Sequence, residues 1–423
     1  MRRLLLALSL SLAGCGGLTD SHPTHDDGDS CTMTDWPFKQ NPVPFCRGRR
    51  LLPRHVDDWG RDVAASADGD LFSELAMVRN FDKGTISMSG TFERIALAWD
   101  RKQWGWVALA NSTANALRGG FLINGEGVPP LSTHALGNIF GASPLQWDVL
   151  SSARSPDGVI LFGLAPGAGT PGKSKYARIE GHDGSIISPT SPPSTDASTA
   201  GVTSLVYHHP SRSVVAGLSN GVIETSGSGV NVTSTGFNTG ALGNSWTART
   251  TPNATARSSM ATASPIGTAI VATTSGLGQS YVYSDNGVDW TAGTFPVAVE
   301  DPMVVRTGGP DASFVVVDAD RSLVAPIADP TAWTDNGFGS GAGDPLVSIA
   351  VFNRLIVVAT ETSNVMRATM SNGATWAPVF DTAANIVHIA AGDGQIVAVD
   401  ASENIYWGFV LGTVPEDPMF EEW

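Results

Sequence analysis

Residues 167–174, Gly167-Ala168-Gly169-Thr170-Pro171-Gly172-Lys173-Ser174, satisfy both GxxxxGK[ST] and GxGxxG, the spacings with which a loop offers backbone amides and a lysine to the phosphates of a nucleotide. That chemistry needs a helix directly after the loop, because a helix N-terminus supplies the oriented amides and the partial positive charge. The segment after Ser174 reads KYARIEGHDGSII, strand-like and broken by glycine, so a solvated loop between two strands is expected and no nucleotide. His208-His209 invite a metal reading, but they precede Pro210 where sister segments carry Arg154-Ser155-Pro156-Asp157 and Gly308-Gly309-Pro310-Asp311, which makes them turn residues. His388 stands alone in an apolar strand and is expected to be packed or bound to water. Trp99, Trp104 and Trp106 could stack a sugar, although an apolar cap looks the same in sequence and packing is the expectation. A zinc set of His22, His25, Cys31 and Cys46 matches no finger spacing. No catalytic constellation emerges.

The elements that carry these residues repeat. Seven times the chain gives a short β-rich strand, a polar turn and a second, more apolar strand, as in RIALAWDRKQWGWVALAN from Arg94 and IVHIAAGDGQIVAVDAS from Ile386. The second strands begin at Trp106, Val159, Ser213, Ala269, Phe314, Ile356 and Ile396, between 40 residues apart (356 to 396) and 56 residues apart (213 to 269). That period suits a four-stranded blade and exceeds one hairpin. The sequence therefore predicts an all-β fold, a β-propeller of seven blades, closed by an N-terminal strand at Thr85 to Ser89 that completes the last unit. Eight blades are the alternative, with Asp62 to Val78 as the extra hairpin.

A second marker comes after the hairpins. Tyr283-Ser284-Asp285-Asn286-Gly287-Val288-Asp289-Trp290 resembles the Asp-box, or BNR repeat, of sialidase-type propellers, with Asp285, Gly287 and Trp290 in the Asp, Gly and Trp slots. Thr369 to Trp376 is a second copy, with Ser371, Gly373 and Trp376 in those slots; TSGSGVNV from Thr225 is a weaker one, and Trp333 keeps the register in the fifth unit. The resemblance implies a structural turn: Asp or Ser caps amides, Gly takes a positive φ, and Trp packs between blades. In that family the turn lies opposite the active site, so it speaks for fold and not for activity. The sialidase Arg-Ile-Pro motif has only Arg94-Ile95-Ala96 as a counterpart, and the five tyrosines leave few choices for a Tyr/Glu pair.

Met1-Arg2-Arg3, an apolar run from Leu4 to Leu12 and then Leu12-Ala13-Gly14-Cys15 resemble the lipobox signal peptide of a bacterial lipoprotein. The resemblance implies cleavage before Cys15, lipidation of Cys15, and, with Gly16 in place of an inner-membrane-retaining Asp, an outer-membrane or cell-surface position in the envelope. The expected organisation is a signal peptide over 1–14, a lipid anchor and tether over 15–58, a propeller over 59–415 and an acidic tail over 416–423. Thr19 to Ser30 is polar and acidic and cannot bury enough surface to order itself. Cys31 and Cys46, in an oxidising compartment, are expected to form one disulfide contributing about 3 kcal/mol from loop closure.

Lysines and arginines number 25 against 40 aspartates and glutamates, a net charge of −15, which excludes nucleic acid as a partner. Asp318, Asp320, Asp400 and Glu403, with Glu361, Glu300, Asp301, Asp344 and Asp381, are expected to gather on one sector of the face bearing the second-to-third-strand loops. Arg118, Lys173 and Lys175 mark another. The acidic sector is the one place suited to a cation, calcium, or to a basic partner segment; no other cofactor is expected. Two function classes stay open. One is a non-enzymatic envelope lipoprotein whose propeller binds or scaffolds a protein or glycan, touching the membrane through its lipid anchor alone. The other is a sialidase-like glycan hydrolase with degenerate Asp-boxes, which three arginines converging at one end of the channel would support.

Overall fold

The computed structural model describes strand segments between Val78 and Ile187 and, with short gaps, residues 200–410. Among the described residues the fold is all-β, with seven four-stranded antiparallel sheets, one two-stranded hairpin (Val232–Thr233 with Gly236–Phe237) and no helix. Blade 1 comprises Phe92–Asp100, Gly105–Ser112, Leu117–Ile123 and His134–Ala135, and blade 2 comprises Trp147–Arg154, Ile160–Pro166, Tyr176–Glu180 and Ser185–Ile187. Blade 3 is Val202–His208, Ser213–Leu218, Ile223–Gly227 and Thr247–Arg249; blade 4 is Arg257–Thr262, Ile270–Thr274, Gly278–Ser284 and Thr291–Val299. Blade 5 is Met303–Arg306, Ser313–Val317, Ser322–Pro326 and Thr334–Asp335, and blade 6 is Leu346–Phe352, Leu355–Thr360, Val365–Met370 and Ala377–Asp381. Blade 7 takes Ile386–Gly392, Gln395–Asp400 and Asn404–Val410 from one end of the propeller and Val78–Thr85 from the other. Each first strand lies beside the next, and that of blade 7 lies beside that of blade 1, which closes the ring of a β-propeller and leaves no long inner edge.

The closing strand sits earlier in the chain than expected, at Val78–Thr85 and not Thr85 to Ser89, pairing from Val78↔Val410 to Thr85↔Asn404. An outermost strand needs no continuous apolar pattern, and Val78–Thr85 reads VRNFDKGT, so hydrophobicity does not mark it. Of the alternative eighth unit, only Val78 is described, and it opens this strand.

The second strands are legible for the opposite reason. Ser213–Leu218 and Leu355–Thr360 are buried at every residue, because each is covered on both faces by the adjoining blades. Packing between blades is aromatic and aliphatic: Tyr281, Phe295, Phe314, Leu323 and Trp333 join blades 4 and 5, and Met366, Ile389, Ile396 and Tyr406 join blades 6 and 7. Each fully buried side chain of this kind contributes about 1.5–3 kcal/mol. The first strand carries a register shift in every blade except the fifth, falling between Phe92/Arg94, Val149/Ser151, Val202/Ser204, Arg257/Met260, Leu346/Ser348 and Ile386/His388. Such bulges re-aim side chains. Here they set the residues that line the channel.

Candidate functional site

Four of the six bulges are followed by a serine or a histidine at one repeated position: Ser151, Ser204, Ser348 and His388. The serines join blades. Ser151 Oγ donates to Val202 O of blade 3 at 3.0 Å. Ser348 Oγ donates to Ile389 O of blade 7 at 3.2 Å and accepts from Ile389 N at 2.9 Å. In blade 4 the wider bulge puts Ser259 in this role, with its Oγ donating to Val304 O at 3.3 Å and accepting from Val304 N at 3.1 Å. Inner strands of neighbouring blades diverge too far to share a ladder, and a hydroxyl with one donor and two acceptor sites bridges them. Ser204 is buried and its Oγ has no partner, because the first strand of blade 4 bulges away at this seam.

These residues wall a channel cavity of about 330 Å³, whose other lining groups include Leu205, Met260, Val304 and Ile349. His388 is its one titratable lining residue among the described residues. Its Nδ1 lies 3.5 Å from Ser348 Oγ, and burial pushes its pKa down from 6.5 to about 4, so the ring is neutral at physiological pH.

A second cavity, about 320 Å³, adjoins the first and shares Leu205, Met260, Val304, Val305 and Val351. It opens on the side of the first hairpin turns, at the ends of the first strands, where Tyr207, His209, Thr262, Ser264 and Arg306 line it. The Tyr207 and His209 rings meet edge to face at 4.9 Å. His209 N donates to Ser264 Oγ at 3.1 Å, and Arg306 Nη1 donates to Ala263 O at 3.4 Å. Arg306 is the one arginine among the residues lining the two cavities, so three arginines do not converge there among the described residues.

His208 ends the first strand of blade 3, and His209 opens the turn expected to hold both. His208 is fully buried, its Nε2 donates to Thr268 O of blade 4 at 2.8 Å and its Nδ1 lies 2.7 Å from Ser211 Oγ. Burial lowers its pKa, against the opposing effects of the Thr268 carbonyl and Asp285. The loop carrying the phosphate-binding pattern joins Ile160–Pro166 to Tyr176–Glu180, so it leads into a strand and not a helix. Residues 167–174 themselves lie outside the described residues, as does Trp104. Trp99 and Trp106 are direct partners across the first hairpin of blade 1.

Among the described residues several of these acidic side chains are engaged within the fold. Asp318 is buried, and its Oδ2 accepts from Glu300 N at 2.9 Å while its Oδ1 accepts from Asp320 N and Arg321 N at 2.8 and 2.5 Å. Asp400 is fully buried and accepts from Ser402 N, Asn404 N, Asn404 Nδ2 and Tyr406 Oη. Each carboxylate caps its own turn, in blades 5 and 7. Asp301 Oδ1 accepts from Gly276 N at 2.7 Å, Asp344 accepts from Thr362 Oγ1, and Arg321 pairs with Asp335 at 2.9 Å. Asp320 is exposed, and Glu403 lies outside the described residues. Among the described residues no three acidic, His or Cys side chains cluster to hold a metal ion.

The turn of blade 4 that the sequence likens to an Asp-box is capped by other residues than that pattern places. Ser284 Oγ accepts from Gly287 N at 2.9 Å, and Asn286 Oδ1 accepts from Val288 N and Asp289 N at 2.8 and 2.9 Å. Asp285, placed by sequence in the capping slot, stands exposed instead, because Ser284 ends the strand with its hydroxyl turned into the loop. Gly287 has φ +72°, and Trp290 Nε1 donates to Gly287 O at 3.3 Å. Blade 3 holds the same geometry, but not at Thr225 to Val232. Ser226 Oγ accepts from Gly243 N at 2.7 Å, Gly243 has φ +81°, and Trp246 Nε1 donates to Gly243 O at 3.1 Å. An insertion separates the capping serine from its glycine, so the eight-residue pattern misses it. The shorter signal Gly-x-x-Trp, at 243–246, 287–290 and 373–376, finds it. Trp246, Trp290, Trp333 and Trp376 each pack between their own blade and the one before it. Ser371 and Gly373 lie outside the described residues.

Two buried polar groups carry no sequence signal. Arg257, fully buried, donates from Nε and Nη2 to Gly221 O at 3.1 and 2.9 Å, from Nη1 to Asn253 Oδ1 at 2.7 Å and from Nη2 to Asn253 O at 2.9 Å; burial lowers its pKa to about 10, so it stays charged. Tyr176 Oη donates to Glu224 Oε2 at 2.7 Å, and its ring stacks on Trp246 at 3.7 Å. A Tyr/Glu pair thus exists, but it is fully buried between the third strands of blades 2 and 3, where it cannot meet a substrate.

Cys15, Cys31 and Cys46 lie outside the described residues. No protein-family model matches the chain, and no curated protein matches it. Solved structures do. Catalytically inactive virginiamycin B lyase from Staphylococcus aureus with quinupristin is 16% identical at a TM-score of 0.54, over 78% of this chain and 100% of that one. The WD40 repeats of RRP9 are 10% identical at 0.53, over 79% and 99%. The β-propeller domain of Cps50 (Swd1) from Myceliophthora thermophila is 12% identical at 0.50, over 78% and 100%. At these identities the likeness shows the fold alone: the chain is similar to β-propellers.

Proposed function

We propose that the chain is a lipid-anchored β-propeller of the bacterial cell envelope that binds a protein or glycan partner and does no covalent chemistry on it. The observation that carries this reading is the composition of the channel wall. Among the described residues no carboxylate lines either cavity, and the hydroxyls of Ser151, Ser259 and Ser348 are hydrogen-bonded across blade seams. Glycan cleavage of the usual kind needs two carboxylates flanking one bond, and general acid–base work needs a donor and an acceptor within reach of one substrate atom. His388 and Arg306 line different cavities. Envelope attachment rests on the lipobox-like Leu12 to Cys15, with a polar tether between anchor and propeller.

Crosslinking in intact cells, followed by isolation of the full-length chain, tests the reading. Discrete adducts with an envelope protein or glycan are expected, and incubation with isolated envelope glycan is expected to release no soluble sugar. Steady sugar release by the purified protein favours the hydrolase reading instead.

A further inference from the structure

Resting on the binding reading above, we infer that the first channel cavity is a receptor site for an uncharged polyhydroxyl ring, such as a single sugar residue, that turns its hydroxyl edge to blades 2 to 4 and a C–H face to blades 5 to 7. The two sides of the cavity differ in chemistry. Of its eight lining residues from blades 2 to 4, six carry a hydroxyl, whereas ten of the twelve from blades 5 to 7 are apolar, Val305, Ile349 and Ala391 among them. The exceptions on the second side are His388 and Ser348, and Ser348 spends its hydroxyl on Ile389. A volume of about 330 Å³ lies at the low end of the range for small-ligand pockets and suits one ring.

On the polar side the protons are spent. Ser151 Oγ donates to Val202 O at 3.0 Å, Thr203 Oγ1 to Gly217 O at 3.0 Å, Ser258 Oγ to Pro302 O at 2.7 Å and Ser259 Oγ to Val304 O at 3.3 Å. A hydroxyl has one proton and two acceptor sites, so these four half-buried groups offer a ligand acceptor capacity only. Such a wall selects a ligand that donates, and sugar hydroxyls donate. It also selects against charge. No Asp, Glu, Lys or Arg lines this cavity among the described residues, and the burial that keeps His388 neutral penalises an ammonium group in the same way. A carboxylate brings no proton and meets lone pairs.

The probes are the methyl β-glycosides of glucose, galactose and mannose, followed by NMR of the methionine methyl groups in the full mature chain, held in micelles of a sugar-free detergent. Met303 lines the cavity and Met366 lies in the core between blades 6 and 7, so binding here is expected to move the Met303 methyl signal and leave that of Met366 in place. At least one glycoside should do so at millimolar concentration, and its uronate and 2-amino counterparts should bind about tenfold more weakly. No shift from any of the three, equal binding by a charged counterpart, or binding that moves Met366 and not Met303 overturns the inference without recourse to a variant. Thr203→Val keeps the shape, loses the oxygen and should lower affinity about fivefold; unchanged affinity with native methyl signals overturns the acceptor wall. A Met303 shift with isolated envelope glycan assigns the ring to a glycan end, and a shift with free glycosides alone assigns it to a free sugar. If no glycoside binds while crosslinked envelope partners are still recovered, the binding reading stands and only this chemistry falls.

Discussion

Ser348 of blade 6 holds both backbone groups of Ile389 in blade 7, donating to its carbonyl at 3.2 Å and accepting from its amide at 2.9 Å. Ile389 is almost fully buried, so neither group has water as a ready substitute. Ser348→Ala orphans a buried donor and a buried acceptor and is expected to cost about 2 kcal/mol. Ser151→Ala removes one bond only and should cost less. Ser204→Ala removes a hydroxyl that has no partner and should change stability by less than about 0.5 kcal/mol. Urea denaturation of the three variants checks the order, and an equal loss in all three contradicts the seam account.

Gly287 sits at φ +72°, and a methyl group there would lie 3.4 Å from Val215 Cγ2 and 3.5 Å from Ile270 Cδ1. Space is adequate, so the strain of Gly287→Ala is conformational and should amount to about 1–2 kcal/mol. Trp290→Phe keeps most of the packing and loses the bond to Gly287 O, for about 1 kcal/mol. Thermal unfolding of both variants is the check.

Arg257→Ala should be more damaging than any of these serine, glycine or tryptophan changes. It empties a fully buried site, removes the donor to Asn253 Oδ1 and leaves Gly221 O and Asn253 O to the single hydroxyl of Thr251, at a cost of about 3 kcal/mol or more. Arg257→Lys cannot reproduce the fork and should recover only part of the loss. Denaturant midpoints of the two variants measure the difference.

His388 makes stability depend on pH with a definite sign. Its pKa is 6.5 in the unfolded chain and about 4 in the folded protein, so between those values the unfolded chain binds a proton that the folded one does not. The neutral ring's contribution is complete above pH 6.5 and is lost as pH falls toward 4. His208, whose pKa burial also lowers, adds in the same direction. Urea midpoints at pH 7 and pH 5 should converge in His388→Gln relative to the unaltered protein; an unchanged gap contradicts a buried neutral His388.

The hairpins are legible in the sequence because burial on both faces forces a continuous apolar run. The second strands expected at Ser213, Ala269 and Ile396 begin at Ser213, Ile270 and Gln395. Outer strands carry no such constraint. Thr247–Arg249 is mostly exposed, and the closing strand VRNFDKGT reads as a polar loop, which is why sequence places it several residues too late. Composition counts carboxylates but not the amides they face: Asp318 gives one oxygen to its own turn and the other to Glu300 N, and Asp400 is engaged by Ser402, Asn404 and Tyr406 of its own hairpin.

We propose that this propeller works at the envelope membrane, held there through Cys15. Cell fractionation of the Cys15→Ala protein tests it most directly, since an acyl chain contributes about 0.8 kcal/mol per buried methylene and a polar tether contributes nothing comparable. The account predicts that the unaltered chain sediments with membranes after a salt wash and that Cys15→Ala appears as exported soluble protein. A Cys15→Ala protein that still sediments after the wash contradicts it.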